Sequence, residues 1–595
     1  MAIDTIPHRL FEQARSRPTS PAYYQKVDGR YRPTSFGEYA ALVRKAAKAL
    51  LALGFERGST VSILGFNRPE WVVLDVAAMV LGGAPAGIYT TCSPEEVAYI
   101  IRHAESPLVL VEDLAQWKKV EKELGNLPNL KHVVTMLGAP KIDHPMVMGW
   151  ADFLEKGASD VGAADAKVEE RLASLEPQGL ATLIYTSGTT GPPKGVMLSH
   201  ENLAWTARVA RQLTHIGPGD SMLSYLPLSH IAEQVFTIHG PISSGSSIYF
   251  AESIEKVPDN LKEVQPTLFF GVPRIWEKFH AAIAAKLAQA PTARRKLAEG
   301  AMRVASAYHE VKNRGQKPNP LLELAYKAAS KVVFSKLKPA IGLGRARFCV
   351  SGAAPIAPAV LEFFMGLDVM IYEVYGQSED TGPTSMNQPG RTKLGTVGPV
   401  IPGVDVKIAA DDEILVKGPH VFLGYFKDPE ATAEALSKDG WLHSGDLGRF
   451  DEGGFLHITG RKKEIIITAG GKNITPKNIE SALKEHDMIA EAVVVGDRRK
   501  YLTALLVLDP DAVARFAKAR GAAGSASAPE VRSEIQRAVD EVNGRFARVE
   551  GIKRFHVLAQ PFSIESGELT PTMKVKRKVV YERYAREIDA MYEEG

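Results

Sequence analysis

Tyr185–Gly195 reads YTSGTTGPPKG, and the residues leading into it, Ala181, Thr182, Leu183, Ile184 and Tyr185, form a β-prone, mostly apolar run. That pattern predicts a buried strand feeding a loop of small hydroxyls and glycines. Gly188, Gly191 and Gly195 let backbone come close to a ligand. Thr186, Ser187, Thr189 and Thr190 offer hydroxyl donors, and Lys194 adds a point charge suited to polyphosphate. Such a loop is built to hold an anion. It is not a Walker A loop, because two prolines separate Gly191 from Lys194 and a glycine, not Ser or Thr, follows the lysine.

Outward from this loop, the chain reads as alternating helices and strands. Apolar residues recur at helical spacing from Ser35 to Leu53, with Ser35 as the cap and Gly54 as the stop. Val61–Leu64 and Pro107–Val111 read as strands around a helix at Pro69–Leu81, the alternation of a doubly wound α/β sheet. Residues 151–178 are rich in Ala, Gly, Glu and Asp and read as a surface connection, after which Ser199 caps another helix. Residues 280–338 read as a long helical insertion carrying twelve Lys or Arg against three Glu. Such an excess reads either as a solvated face or as a contact for an anionic membrane. Further strands are expected at Ala346–Val350 and Ile371–Tyr375. Near the end, AEAVVVGD and LTALLVLD read as two strands and Val531–Val542 as a helix, with a loop at 521–529, making a small α+β unit.

The 595 residues imply two or more domains. Hydrophobic content of 45% and charged content of 24% are ordinary for a folded soluble protein. A net charge of +3 is too balanced to imply nucleic-acid binding from the whole-chain field. Cys92 and Cys349 lack metal-ligand spacing and are too few for a disulfide framework, which fits a reducing cytoplasm. The first residues have no apolar signal core, and the apolar stretch Trp71–Ile88 is interrupted by Asp75, so neither a cleaved signal nor a membrane span is expected.

YTSGTTGPPKG closely resembles the phosphate-binding signature of the adenylate-forming superfamily, which includes acyl-CoA synthetases. Other segments resemble that superfamily in the same order: SGAAP at Ser351–Pro355, YGQSE at Tyr375–Glu379, GTVGPVIPG at Gly395–Gly403, HSGDLGRF around Asp446, GRKKEIIITAGGKNITP at Gly460–Pro476 and LTPTMKVKR at Leu569–Arg577. The resemblance implies that adenine lies between Tyr375, with Gly376 beside it, and the backbone of Gly352, Ala353 and Ala354. It implies ribose on Asp446 and Arg461, magnesium on Glu379, an adenylation lysine at Lys574 and an interdomain hinge at Lys463. SYLPLSHIAEQ places His230 at the pocket, and GVPRIWEK resembles the segment of long-chain acyl-CoA synthetases in which an aromatic gates the acyl tunnel, here Trp276.

The fold expected is thus a large N-terminal α/β domain of mixed doubly wound sheets, residues 1–462, and a small mobile α+β C-terminal domain, residues 463–595. The function implied is ATP-dependent activation of a long-chain fatty acid and its transfer to CoA, with Mg2+ as cofactor. The alternatives are a fatty acyl-AMP ligase serving an acyl carrier protein, and a non-catalytic lipid-binding relative. Beyond fatty acid, ATP and CoA, the expectations are no nucleic acid, a peripheral contact at the inner face of a membrane, and a homodimer.

Overall fold

The computed structural model describes residues 3–158, 161–186, 192–469, 472–521, 525–564, 566–570 and 574–593. An eight-stranded sheet is its largest element. It runs Gly424–Tyr425, Lys194–Ser199, Leu180–Thr186, Ala84–Ile88, Thr60–Leu64, Leu108–Val111, His132–Thr135, Val147–Gly149 in spatial order. From Leu180–Thr186 to Val147–Gly149 the neighbours are parallel, whereas Lys194–Ser199 pairs antiparallel with both of its neighbours. Alternation along the strands explains why helices must cover both faces. Leu108 and Leu110 belong to one apolar cluster with helices Phe36–Ala52 and Pro69–Val80, while Val109 and Val111 join a second with Pro94–Ala104 and Leu114–Lys122.

The helix starts follow local chemistry. Ser35 Oγ accepts from Glu38 N at 3.2 Å and Glu38 Oε2 accepts from Ser35 N at 2.7 Å, a reciprocal capping box. Ser199 and Asn202 repeat the arrangement at helix His200–Thr214. Residues 151–178 depart from the expected surface connection, for two helices, Trp150–Lys156 and Val161–Ala173, occupy much of the stretch. Phe153, Leu154, Val168, Leu172 and Leu175 are buried, with Val168 and Leu172 one helical turn apart. Arg44 pairs with Glu169, Lys45 with Glu155 at 2.8 Å and Lys48 with Asp165 at 3.1 Å, which hold both helices on Phe36–Ala52.

Three four-stranded sheets complete the large domain. One joins Ser221–Ser224, Ser247–Phe250, Pro21–Val27 and Arg30–Ser35. Another joins Leu268–Gly271, Phe348–Ser351, Ile371–Tyr375 and Ser385–Met386, and the third, wholly antiparallel, joins Asp405–Ile408, Glu413–Lys417, Leu442–Phe450 and Leu456–Arg461. The expected helical insertion is present as Pro273–Ala288, Thr292–Asn313, Pro320–Ala329 and Ser335–Ala340. A separate C-terminal domain has its own sheet of Ile489–Val495, Leu502–Leu508 and Ile552–Val557. Here too alternation divides the core: Ala492 and Val494 face one cluster with helix Pro529–Asn543, Val493 and Val495 another with Val580 and Ile588. No helix among the described residues is long and apolar enough to cross a membrane.

Candidate active site

Strands Phe348–Ser351 and Ile371–Tyr375 lie side by side and parallel, with Ser351 opposite Glu373, so SGAAP and YGQSE emerge from neighbouring strand ends. In open α/β sheets such carboxyl ends are where ligands sit. Gly352 passes so close to the adjacent strand that an added Cβ would lie 2.7 Å from Val374 Cγ1. At Gly376 the same atom would fall 1.4 Å from the carbonyl oxygen of Gly382, which no side chain tolerates. Ala353 holds a left-handed φ of 69° and is exposed together with Ala354, leaving a flat ledge of backbone and methyl groups.

Asp446 is the hub beside this ledge. It is 6% exposed, and the pairing of Leu442–Phe450 with Leu456–Arg461 sets it directly opposite Arg461. Arg461 Nε donates to Asp446 Oδ1 at 2.7 Å, and the Tyr375 hydroxyl donates to Oδ2 at 2.9 Å. Both carboxylate oxygens thus already serve the protein, and each has a lone pair left for a further donor. Burial raises the Tyr375 phenol well above its ordinary pKa, so it stays a donor, while the Asp446 charge pushes the Arg461 guanidinium higher still.

Lys574 comes to the same place from the C-terminal domain. Thr570 N donates to Lys574 O at 2.7 Å and Lys574 N donates to Thr570 Oγ1 at 2.9 Å, which braces the backbone at the lysine. Lys576 lies 3.8 Å from Glu96 of the large domain, and Arg577 Nη2 donates to both oxygens of Glu480 at 2.5 and 2.6 Å. Lys574 keeps exposed surface, yet the protein crowded around it, and then the Arg461 charge, lower its pKa from the ordinary lysine value, with Asp446 opposing. Its charge is felt at His230, whose pKa falls to about 4, chiefly through burial and next through Lys574. His230 Nδ1 accepts from Ala232 N at 3.2 Å, so the neutral ring carries its proton on Nε2.

A second group forms around Glu379, which is half-buried. The Tyr425 hydroxyl donates to Glu379 Oε1 at 2.8 Å. Lys194 Nζ stands 4.9 Å from the centre of the Tyr425 ring and 3.7 Å from Asp428 Oδ2. Next to Glu379, Asp380 accepts from Gln377 N at 2.7 Å and from Thr384 Oγ1 at 2.6 Å, and burial lifts its pKa to about 8. Thr186 ends its strand half-buried, whereas Ser187, Gly188, Thr189 and Thr190 lie outside the described residues.

Two expected residues stand apart from these groups. Lys463 is exposed in a short 3-10 turn, Lys462–Glu464, between strand Leu456–Arg461 and the C-terminal core that begins at Ile466. Trp276 is fully buried. Its Nε1–H is shared between Gly271 O at 3.0 Å and Val350 O at 3.2 Å, and its ring meets Phe269, Phe279 and Phe364. As it stands Trp276 is a core residue, and serving as a gate requires it to leave both carbonyls.

A family model described as AMP-binding enzyme matches residues 10–426, and one described as AMP-binding enzyme C-terminal domain matches residues 463–595. The chain belongs to the AMP-binding enzyme family. Among curated relatives of this AMP-binding enzyme, the long-chain-fatty-acid–CoA ligase ACSBG2 of Xenopus laevis is 38% identical over 99% of this chain and 84% of its own length. The long-chain-fatty-acid–CoA ligase FadD15 of Mycobacterium tuberculosis is 36% identical, covering 99% and 97%. Among solved structures, ATP-bound MatB from Rhodopseudomonas palustris superposes with a TM-score of 0.70 at 24% identity, covering 98% of this chain and 99% of that one. The anthranilate CoA ligase AuaEII in complex with anthranoyl-AMP gives 0.70 at 19% identity, covering 97% of each.

Reading this AMP-binding enzyme from sequence missed Tyr425 and Asp428. They sit in GYFKDP, a turn-like string without any motif of its own, and Tyr425 reaches Glu379 only because Gly424–Tyr425 pairs antiparallel with Val196 and Met197. The buried Glu233 was missed as well. Its Oε1 accepts from Ser224 Oγ at 2.8 Å, Thr237 Oγ1 at 2.7 Å and Asn67 Nδ2 at 3.1 Å, which pins the short helix after His230 to strand Ser221–Ser224.

Proposed function

We infer that the protein is an ATP-dependent long-chain fatty acid–CoA ligase. What carries the reading of its site is the meeting of Lys574, from the C-terminal domain, with Asp446, Arg461 and His230 from the large one. A fatty carboxylate oxygen bonds to the α-phosphorus of ATP as the bond to pyrophosphate breaks, giving an acyl-adenylate. The CoA sulfur, as thiolate, then bonds to the acyl carbon, and the acyl–phosphate C–O bond breaks to release AMP. The chain supplies position and charge, and needs no side-chain nucleophile. The ledge at Gly352–Ala354 and the Tyr375 side take adenine, Asp446 and Arg461 take the ribose region, and Lys574 neutralises charge between carboxylate and α-phosphate. Neutral His230 offers its Nε2–H at the acyl pocket.

Glu379 fits a hard cation, because among the described residues only its Oε1 accepts a side-chain hydrogen bond and its second oxygen is available. Among the described residues no group of three His, Cys, Asp or Glu forms a metal cage. A Mg2+ ion here would draw its other ligands from the triphosphate and water, as this ion commonly does. When bound, it neutralises phosphate charge. Tyr425 then orients the carboxylate. Tyr425→Phe should raise the Mg2+ concentration for half-maximal exchange by about 10-fold or more, with a stability loss of only about 1 kcal/mol. An unchanged Mg2+ requirement would remove Tyr425 from this role.

Division at 462/463, with Lys463 as the hinge, is supported by the exposed turn that joins the two cores. By resemblance to the family, the C-terminal domain turns about this hinge, because Lys574 serves adenylation and the segment around Gly470 and Gly471 serves thioester formation, and the two cannot hold one site at once. ATP–pyrophosphate exchange that depends on a long-chain carboxylate, followed by thioester analysis with and without CoA, tests the ligase reading. Exchange without a CoA thioester would replace it with delivery to a carrier protein, and no exchange would replace it with lipid binding.

The pH profile follows from Lys574. It acts as a cation, and in the free enzyme its pKa is below the ordinary lysine value, so its charge is lost earlier as pH rises. Bound phosphates favour the cation and move that loss upward. The alkaline fall of kcat/KM for adenylation should therefore come at lower pH than that of kcat. Coincident limbs would contradict the placement.

A further inference from the structure

The helical insertion presents a face that the rest of the chain leaves uncovered. Helix Pro320–Ala329 continues through a π turn, Ser330–Phe334, into Ser335–Ala340. Its inner side is anchored. The Tyr326 hydroxyl donates to Asp368 Oδ1 at 2.7 Å, its ring stacks on Tyr308 with centroids 3.8 Å apart, Lys338 Nζ lies 3.2 Å from Asp368 Oδ2, and Phe334 is buried. This anchoring turns the opposite stripe outward. Leu321 is 77% exposed, Leu324 66% and Val332 54%, and the exposed Ala328 lies on the same helical stripe. Lys317, Lys331 and Lys336 are exposed beside it, with no carboxylate in ion-pair distance among the described residues, while Lys327 pairs with Glu323 at 3.1 Å.

We propose that this face docks the enzyme on an anionic lipid bilayer, with Leu321, Leu324 and Val332 in the headgroup–acyl boundary and the lysines on lipid phosphates. Two observations select a bilayer. The exposed apolar side chains lie along one stripe of a helix with lysines beside it, the pattern of a helix lying in the interface plane, where lipid deforms around it. The charge is complementary as well, twelve basic against three acidic residues over 280–338. The choice of lipid rests on the fatty-acid reading above, because that substrate partitions into bilayers.

The test is co-sedimentation of the full chain with vesicles of phosphatidylcholine alone or mixed with phosphatidylglycerol. Wild-type protein should sediment with the anionic vesicles and not the neutral ones, less so as salt rises. Each lysine removed should weaken binding roughly fivefold, so Lys331→Gln with Lys336→Gln should weaken it about 30-fold. Leu321→Ser with Leu324→Ser should cost about tenfold or more, while Val549→Ser, 47% exposed in the C-terminal domain, should bind as wild type. Wild-type protein left in the supernatant with anionic vesicles would overturn the proposal, as would variants that sediment normally. Self-association lost in the leucine variant with vesicle binding intact would also overturn it, making the face a contact between copies. Ligation of octanoate without vesicles is measured separately and should be unchanged in all variants. Its absence in the wild type would sink the ligase reading and leave the sedimentation result to stand alone.

Discussion

Lys574→Ala should slow acyl-adenylate formation by about 10² to 10³, the usual cost of one preorganised charge donor, while thioester formation from supplied acyl-adenylate stays close to wild type. The asymmetry follows from where the lysine sits. Its ammonium lies within electrostatic reach of Arg461, Asp446 and His230 in this arrangement of the domains, with Lys576 near Glu96. Once the adenylate exists, the carboxylate charge that Lys574 balanced against the α-phosphate is gone, because that oxygen now bridges carbon and phosphorus. Lys576→Ala serves as a control for docking, since a half-buried pair still reached by solvent and 3.8 Å apart contributes little, about 0 to 1 kcal/mol, and its loss should leave both half-reactions nearly intact. The measurement is carboxylate-dependent pyrophosphate exchange beside single-turnover thioester formation from purified acyl-adenylate. Equal loss in both half-reactions would remove Lys574 from the adenylation step.

How far such a site can be read from sequence depends on whether its contacts run along the chain or through space. The parallel strands were legible because Leu108–Val111 is an unbroken apolar run and Leu180–Thr186 a mostly apolar one, and the helix at Phe36–Ala52 because its apolar residues recur at helical spacing between Ser35 and Gly54. Helix Val161–Ala173 was hidden by its composition. Its buried Val168 and Leu172 are diluted by Ala, Glu and Asp, and partners on another helix stabilise it. The antiparallel sheet around Asp446 was also missed, since Leu442–Phe450 contains Gly445 at a φ of 70° and a register shift before Gly448, so its strand character comes from pairing. Asp446, Arg461 and Tyr375 could each be named from a motif. That Tyr375 holds one oxygen of Asp446 and Arg461 the other could not, because 71 residues separate Tyr375 from its partner. For the same reason Tyr425, carrying no motif, was invisible beside Glu379.

Trp276→Ala should destabilise the protein by about 3 to 5 kcal/mol, the range for deleting a large buried aromatic. The indole is fully buried, and a Cβ on Gly271 would lie only 2.8 Å from its Nε1, so the packing has no slack. The cost should reach the nucleotide as well. Val350 O, which shares the indole N–H, is two residues from Gly352 on the strand that delivers the adenine ledge, and losing that donor frees the strand end to shift. The proposed gate makes a different demand. Each methylene entering an apolar tunnel contributes about 0.8 kcal/mol, roughly fourfold in affinity, so catalytic efficiency should climb from octanoate through dodecanoate and level off where the tunnel ends, with acetate and benzoate far behind. If Trp276 closes the entrance, Trp276→Ala loosens this discrimination without abolishing exchange with long-chain acids. Trp276→Phe separates the two roles, for it keeps a ring between Phe269 and Phe364 but abandons Gly271 O and Val350 O. A pure core role predicts a lowered thermal midpoint and a raised KM for ATP in both variants, with the chain-length profile of the folded fraction unchanged. A gate predicts a profile that flattens in the alanine variant by more than its ATP KM rises. Thermal midpoint, ATP KM and chain-length profile measured on the same two proteins decide between them, and a wild-type optimum at or below butyrate would overturn the long-chain assignment itself.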